Sequence, residues 1–404
     1  KRMAKKDSSD HDCIPFEQVE SSGDAARPLD FPPPLVARGV RVNALVVHPQ
    51  SGSRQVCSGV IHREDLSGKA YWPQRRLQDA IYGSVWACLV LKRHVGQAAD
   101  DAAKAAGVQP GSPQAPIVWE IEQNHVAIKM VEWARVHHMR GRLLEDPVKE
   151  VSALQLLGHR PNPHVLGSME VLQDNDFLYS VMPFCKGGDL FGIVVRHAEE
   201  SGGDVGMPEP VARYWFRQIL QGLYHLQSLG VCHRDLSLEN ILVDEHDCMV
   251  IDLGMCLRIP YTSREDPSRI SDVTGGIIRR LMRPQGVCGK HNYMSPEIFK
   301  NTEPFDGFAV DLWAAGVILY IMLTGFPPYD QASTTDQRFD LIVNGRLMEQ
   351  LQNWDIVLSA EAGHLMQSML QLDPRKRLTL RQVMTHPWVV DGHVQPPPKE
   401  RRHP

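Results

Sequence analysis

The 404-residue chain is 43% hydrophobic and 23% charged, ordinary for a soluble globular protein with room for two or three compact domains. Its formal net charge of −5 repels polyanions at long range, which excludes a general affinity for nucleic acid or anionic membrane. The eight cysteines form no C-x-x-C pair and no Cys/His cluster at metal-ligand spacing, so they are expected to be free thiols in a reducing compartment, cytoplasmic or nuclear.

Residues 1–40 are rich in Ser, Asp and Pro, end in L-D-F-P-P-P-L, and carry too few aliphatic side chains to fold alone, so they read as a disordered arm. The first residue is Lys and no signal peptide is visible, so the natural N-terminus is expected upstream. Residues 41–70 contain one strand-like patch, V-N-A-L-V-V, and a polar stretch to which composition assigns no role. From Leu77 to about Met182, short apolar runs such as V-W-A-C-L-V-L and V-A-I-K-M-V predict strands. A low-complexity insertion at 93–116 interrupts them, tolerable because loop closure costs grow slowly with length. A helix near Asp146 interrupts them as well. Asp146 suits its N-cap and Pro147 its first turn, which puts Glu150 on the face of Leu154 and Leu157, where an acid wants a counter-charge. Adjacent His137 and His138 point in different directions on a helix and are expected on a solvated surface, not at a metal.

Beyond 183 the pattern turns helical. Val211 to Leu229 carries apolar residues at 211, 215, 219, 223 and 226, and Gly230 ends that helix. The apolar run from Phe308 has Asp311 near its start and is marginal in length for a bilayer, so a buried core helix is expected and no membrane span. Residues 391–404 form a proline-rich basic tail, and no internal repeat is visible.

Several short motifs stand in a fixed order: V-A-I-K at Val126–Lys129, H-R-D-L-S-L-E-N at His233–Asn240, D-L-G at Asp252–Gly254 and S-P-E at Ser295–Glu297. D-L-W at Asp311–Trp313, D-P-R-K-R ending at Arg377 and H-P-W at His386–Trp388 follow. Over about residues 71–390 the chain resembles eukaryotic serine/threonine protein kinases, its H-P-W ending being similar to that of the calmodulin-dependent type. That resemblance implies an α+β, bilobal protein-kinase fold. A small β-rich N-lobe with one main helix would span 71–182, a larger helical C-lobe 183–390 and an activation segment 252–297, with nucleotide in the cleft between lobes.

The resemblance also implies roles. Lys129, paired with Glu150, would reach the α and β phosphates of ATP; Asp235 would orient the attacking hydroxyl and accept its proton; Asn240 and Asp252 would hold magnesium. Gly83, Val85, Ala127, Met182, Phe184, Cys185 and Asp189 would line the nucleotide, with Cys185 notable for accessibility and not for intrinsic reactivity. Asp311 would hold the catalytic-loop backbone, and Glu297 and Arg377 would form a buried ion pair. The implied cofactors are ATP and magnesium, and the implied partners are protein substrates, with no nucleic acid.

Two departures qualify the resemblance. Gln78, Ala80 and Gly83 stand where G-x-G-x-x-G is usual, which weakens a phosphate-cradling loop. Ser237 occupies the place of the usual catalytic-loop lysine, while Lys290 occupies that of the threonine that usually meets it. The two changes are complementary, so Lys290 is expected to supply the cation that a transferring phosphoryl group needs. A binding scaffold on the same fold remains the alternative, against which the joint presence of Lys129, Asp235, Asn240 and Asp252 argues. Glu239 and Asp189 predict a preference for basic residues upstream of the target. Arg234 is expected to be an uncompensated cation, and Thr262, Ser263, Ser268, Ser271 and above all Thr274 to be carriers of an activating phosphate placed by an upstream kinase.

Overall fold

The computed structural model describes residues 25–396 apart from 95, 106, 108, 110–116, 140, 204–205, 264 and 267. These residues group into a β-rich unit, 32–159 with 166–184, and a helical unit made of the described residues up to Phe31, 160–165 and 185 onward. The first 24 residues of the expected arm, the end of the expected insertion and the tail beyond 396 lie outside the described residues.

The β-rich unit contains β1 (Ala37–Val47), β2 (Arg54–Arg63), β3 (Ala70–Ala80), β4 (Gly83–Arg93), α1 (Gln97–Ala105), β5 (Val118–Glu132), α2 (Trp133–Met139), α3 (Pro147–Gly158), β6 (Glu170–Gln173) and β7 (Phe177–Pro183). Its strands close into a barrel in the order β1-β2-β3-β4-β5-β7-β6, with β1 also pairing in parallel with β5 at Leu45–Val47. Period-2 alternation sorts the side chains. Cys88 and Val90 of β4 and Val126, Ile128 and Met130 of β5 enter one apolar cluster with Ile61 and Tyr71. A second cluster, around Trp119, gathers Ala44 and Val46 of β1 with Cys57 and Val60 of β2. Residues 41–70, unassigned from composition, therefore supply part of the barrel wall.

Two expectations change here. The stretch read as an arm is ordered from Ala25: Leu35 exchanges backbone hydrogen bonds with the Gln155 side chain at 2.8 and 2.7 Å, and β1 begins at Ala37. The insertion holds α1, whose Ala103 is fully buried and whose Ala99 and Ala102 pack on Val47 and Val118. Small side chains let the helix approach the sheet closely, which a compositional reading treats as low complexity.

The helical unit runs through α4 (Leu190–Glu200), α5 (Glu209–Ser228), β8 (Val231–Cys232), a 3-10 turn at Leu238–Asn240, β9 (Ile241–Asp244), β10 (Asp247–Val250) and β11 (Leu257–Arg258). It continues with β12 (Tyr261–Thr262), β13 (Ile270–Ser271), β14 (Ile278–Arg279), α6 (Pro296–Lys300), α7 (Gly307–Thr324), α8 (Gln337–Val343), α9 (Leu347–Asn353), α10 (Ala360–Met369), α11 (Leu380–Met384) and α12 (Pro387–Val390). α7 is the expected core helix: every residue in it is buried, it packs on α5 and α10, Asp306 caps its start and Gly325, at φ 85°, ends it. It is long and apolar enough to cross a membrane, and all of it is buried inside the protein.

Candidate active site

In the β-rich unit, α3 begins as its residues predict. The Asp146 side chain accepts from the N–H groups of Val148 and Lys149, Pro147 occupies the first turn, and Glu150 is buried on the inward face. Lys129 Nζ donates to Glu150 Oε2 at 2.6 Å, with the two side chains 12% and 7% exposed. Burial on both sides makes this a pair that neither residue can leave cheaply. Val85 lies opposite Lys129 on β4, Ala87 opposite Ala127, and Met182 of β7 opposite Ala127 on the other side, so these residues share the sheet face that carries the lysine. Phe184 lies half-buried beside the His125 ring, 6.1 Å between centroids.

The departure at Gly83 has a packing reason. Ile81 and Tyr82 form a two-residue turn between β3 and β4, Tyr82 is buried with its hydroxyl donating to Glu145 O at 2.8 Å, and a Cβ on Gly83 would lie 1.9 Å from Met130 O. Glycine is needed there for close approach of β5, whatever it does for phosphate. His137 and His138 are exposed, as expected.

In the helical unit the loop from His233 to Asn240 is held from below. Asp311 of α7 accepts from the N–H groups of His233 and Arg234 at 2.7 and 2.8 Å. Full burial pushes its carboxyl up to about 6, against the pull of those two N–H groups. Their hold supports Arg234 in the left-handed region, φ 67°, a conformation costly for a side chain of its size. His233 Nε2 donates to Ile251 O at 2.8 Å while its Nδ1 accepts from Asp235 N–H at 3.2 Å. Asn240 Nδ2 donates to Asp235 O at 2.7 Å and to Asp235 Oδ2 at 3.3 Å, leaving Asn240 Oδ1 as an available acceptor. Asp235 Oδ1 is buried with no hydrogen-bond partner among the described residues. Burial, reinforced by the charge of Asp252, holds the Asp235 carboxyl above its ordinary value, and Lys290 counters it.

Lys290 lies where the exchange predicts. Its Nζ donates to Ser237 Oγ at 3.3 Å. It also pairs with Glu239 Oε1 at 2.8 Å, and Tyr293 OH donates to the other oxygen of that carboxylate at 3.3 Å, a partnership invisible in the linear motif. Gly289, not singled out from sequence, sits at φ 88°, and a Cβ there would lie 3.1 Å from Arg234 O and 3.4 Å from Asp235 Oδ1. Only glycine satisfies both the backbone angle and that approach. Its signal was its position next to the exchanged lysine. Leu253 of D-L-G is buried, and Asp252, at φ 64°, accepts from Gly254 N–H at 3.3 Å.

Arg234 is buried, donates to the carbonyls of Met255 and Gly286 at 3.3 and 3.2 Å and lies over the Phe305 ring at 5.7 Å, while its Nε has no hydrogen-bond partner among the described residues. Neutral backbone oxygens take two of its nitrogens and no described carboxylate pairs with it. Thr274 donates to Asp272, whose carboxylate pairs with Arg258, so a phosphate there would meet a carboxylate and a guanidinium together. Thr262 is buried; Ser268 is exposed. Asp189 caps α4 by accepting from Gly192 N–H at 2.7 Å. Burial pushes the partly exposed Cys185 thiol up to about 11, which fits accessibility without reactivity. Glu297 and Arg377 form the expected pair, 2.7 Å apart with the arginine side chain 0% exposed.

The residues fit magnesium and nucleotide phosphate on one observation above all: an orphaned carboxylate oxygen of Asp235 and the amide oxygen of Asn240 share one loop, and the charge of a second carboxylate, Asp252, acts on Asp235. No group of three or more His, Cys, Asp or Glu side chains suited to a metal occurs among the described residues, and magnesium, which keeps water and phosphate oxygens in its shell, needs none.

Residues 117–389 match the family described as the protein kinase domain. Among curated proteins the chain is 33% identical to mouse serine/threonine-protein kinase DCLK3 over 66% of this chain and 30% of that protein. It is 31% identical to CBL-interacting protein kinase 16 of Oryza sativa subsp. japonica, over 68% of this chain and 52% of the relative. Zebrafish maternal embryonic leucine zipper kinase is 31% identical over 61% of this chain and 32% of its own length. The match thus spans between about a third and a half of these relatives.

Proposed function

Because this chain belongs to the protein kinase family, we propose that it transfers the γ-phosphoryl group of ATP to serine or threonine hydroxyls of protein substrates, with magnesium. Bound Mg-ATP supplies the electrophilic phosphorus and neutralises its phosphate charge. The chain's own residues do the rest. The buried Asp235 Oδ1 accepts a hydrogen bond from the substrate hydroxyl, aims its oxygen and takes its proton as the oxygen–phosphorus bond to the substrate forms and the bond from the γ-phosphorus to the ADP oxygen breaks, with ADP as leaving group. Burial strengthens it as a base. Lys290, held by Ser237 at 3.3 Å and by Glu239 at 2.8 Å, places an ammonium charge beside the catalytic loop, its side chain 40% exposed so that water screens part of its field. Lys129, braced by Glu150, offers the phosphate-binding cation of the β-rich unit, and Asn240 Oδ1 and Asp252 would hold the magnesium.

The observation that carries this reading is the orphaned Oδ1 of Asp235: an uncompensated buried acceptor is costly unless a ligand completes it. The absence of a disulfide at the seven described cysteines agrees with a cytoplasmic or nuclear protein. The preference for upstream basic residues is carried by Glu239, in competition with Lys290, and by Asp189, in competition with its cap. Calorimetric titration of ATP analogue with and without magnesium, followed by phosphate transfer to a peptide array, tests the proposal. Magnesium-dependent binding and transfer to Ser/Thr peptides are expected; binding indifferent to magnesium with no transfer would leave a scaffold. An array selecting acidic or proline-flanked targets would overturn the basic preference alone.

A further inference from the structure

The segment between Asp252 and Glu297 carries Lys290 to Ser237, and besides its own apolar cluster and its pairing with β8 it has a partner outside the motifs. Its middle folds into a three-stranded sheet, β13-β12-β14. Its two limbs, at Arg258 and at Leu281–Arg283, bond to the short stretch Ala25–Asp30 of the same unit. Ala26 N–H donates to Leu281 O at 2.9 Å, Arg283 N–H to Ala26 O at 3.0 Å and Leu29 N–H to Arg258 O at 2.9 Å. Two arginines add side-chain bonds to the backbone of the same stretch: Arg283 Nε to Ala25 O at 2.8 Å and an Arg258 guanidinium nitrogen to Asp30 O at 3.0 Å.

Every one of these bonds uses the strap's main chain, so the surface accepts an extended peptide, as a sheet edge does, with Pro28 placed where no donor is asked for. Met282 is bonded on its other side to Phe305, so the strap completes a strand already anchored to the helical core. From that strand the chain continues to Gly286, whose carbonyl receives Arg234, and then to Gly289 and Lys290 against the catalytic loop. No phosphate is involved in this route.

We infer that Arg258 and Leu281–Arg283 form a peptide-docking edge, occupied in cis by residues 25–30, and that its occupancy holds Lys290 in working position. The second half of this inference rests on the function proposed above. Releasing the strap, by a competing extended peptide or by cleavage near residue 31, then lowers turnover by freeing Lys290, with no substitution at any catalytic residue.

The full chain carrying Ala26→Pro and Leu29→Pro loses both strap donors while keeping every other residue. Amide exchange at Arg283 should quicken by about tenfold or more, since its partner carbonyl leaves. The kcat should fall by about the same factor with the KM for ATP unchanged, and a synthetic peptide of residues 23–33 added in trans should reverse both effects. Arg27→Ala, which alters only an exposed side chain, should match the wild type in both. If the double variant unfolds, Leu29→Pro alone is measured by the same criteria. Unaltered exchange at Arg283 overturns the docking edge; faster exchange with undiminished kcat, or no response to the peptide, overturns its link to turnover. A wild-type chain that transfers no phosphate sinks the proposed function and that link together, and Arg283 exchange still decides the edge.

Discussion

Ser237 and Lys290 share one contact, and the shared contact makes their substitutions interdependent. Lys290→Thr should lower kcat on the order of a hundredfold, the scale of a lost transition-state charge contact, with ATP affinity nearly unchanged. Ser237→Lys alone should also harm, because two ammonium groups would crowd one site. The double variant should recover well beyond the product of the single effects, a coupling that a double-mutant cycle reads directly. The same lysine sets a pH dependence. Asp235 must be ionised to act as a base, and its folded-state pKa is raised, so activity falls as pH drops through a value above the usual carboxylate range. Lys290 opposes that rise; removing it in Lys290→Thr should move the acidic limb of the kcat/KM profile to still higher pH. A limb that stays put would mean that Lys290 exerts no field on Asp235.

At the scale of elements, two buried ion pairs each tie together pieces distant in sequence. Arg279 of β14 meets Asp306 bidentately at 3.0 and 2.7 Å, and Asp306 also accepts from Phe308 N–H at the start of α7. Asp306→Ala removes the cap and strands a buried guanidinium, a loss of about 3–5 kcal/mol. A fall in Tm of roughly 10 °C is the expected readout for a domain of this size. In the β-rich unit, Glu150→Gln keeps the shape of α3 but deprives Lys129 of its counter-charge. ATP affinity should drop on the order of tenfold with the melting curve little altered. A loss of fold without loss of affinity would make the pair a structural brace only.

At the scale of the whole chain, the boundary of the folded unit is wider than its motifs. The family match begins at residue 117 and the sequence resemblance at about 71, yet the barrel needs β1 and β2, which contribute Ala44, Val46, Cys57 and Val60 to the cluster around Trp119. A fragment starting at residue 71 opens that barrel, leaves β3 and β5 with unpaired edges and uncovers a tryptophan that is 1% exposed in the intact chain. It should aggregate on expression, and any soluble fraction should show red-shifted tryptophan emission. A fragment starting at 36 lacks the strap but keeps the barrel, and its emission should match that of the full chain.

The sequence by itself determined the fold class, the order of the candidate catalytic groups and the ends of the helices around them. Each of these is decided by neighbours within a few positions: Asp146 and Pro147 start α3, Gly230 at φ 69° ends the run after α5, and Asp235 stands five positions before the Asn240 that bonds it. The Ser237 and Lys290 exchange was also legible, because two departures from one motif set were complementary. What only the tertiary structure decided are contacts between residues far apart in the chain whose chemistry leaves no side-chain signature. The strap reaches Arg283 across 258 positions through a backbone carbonyl, and backbone groups are the same in every sequence. The hydrogen bonds of Arg234 go to carbonyls, and the partner of Glu239 stands 51 positions away across a segment that had first to fold.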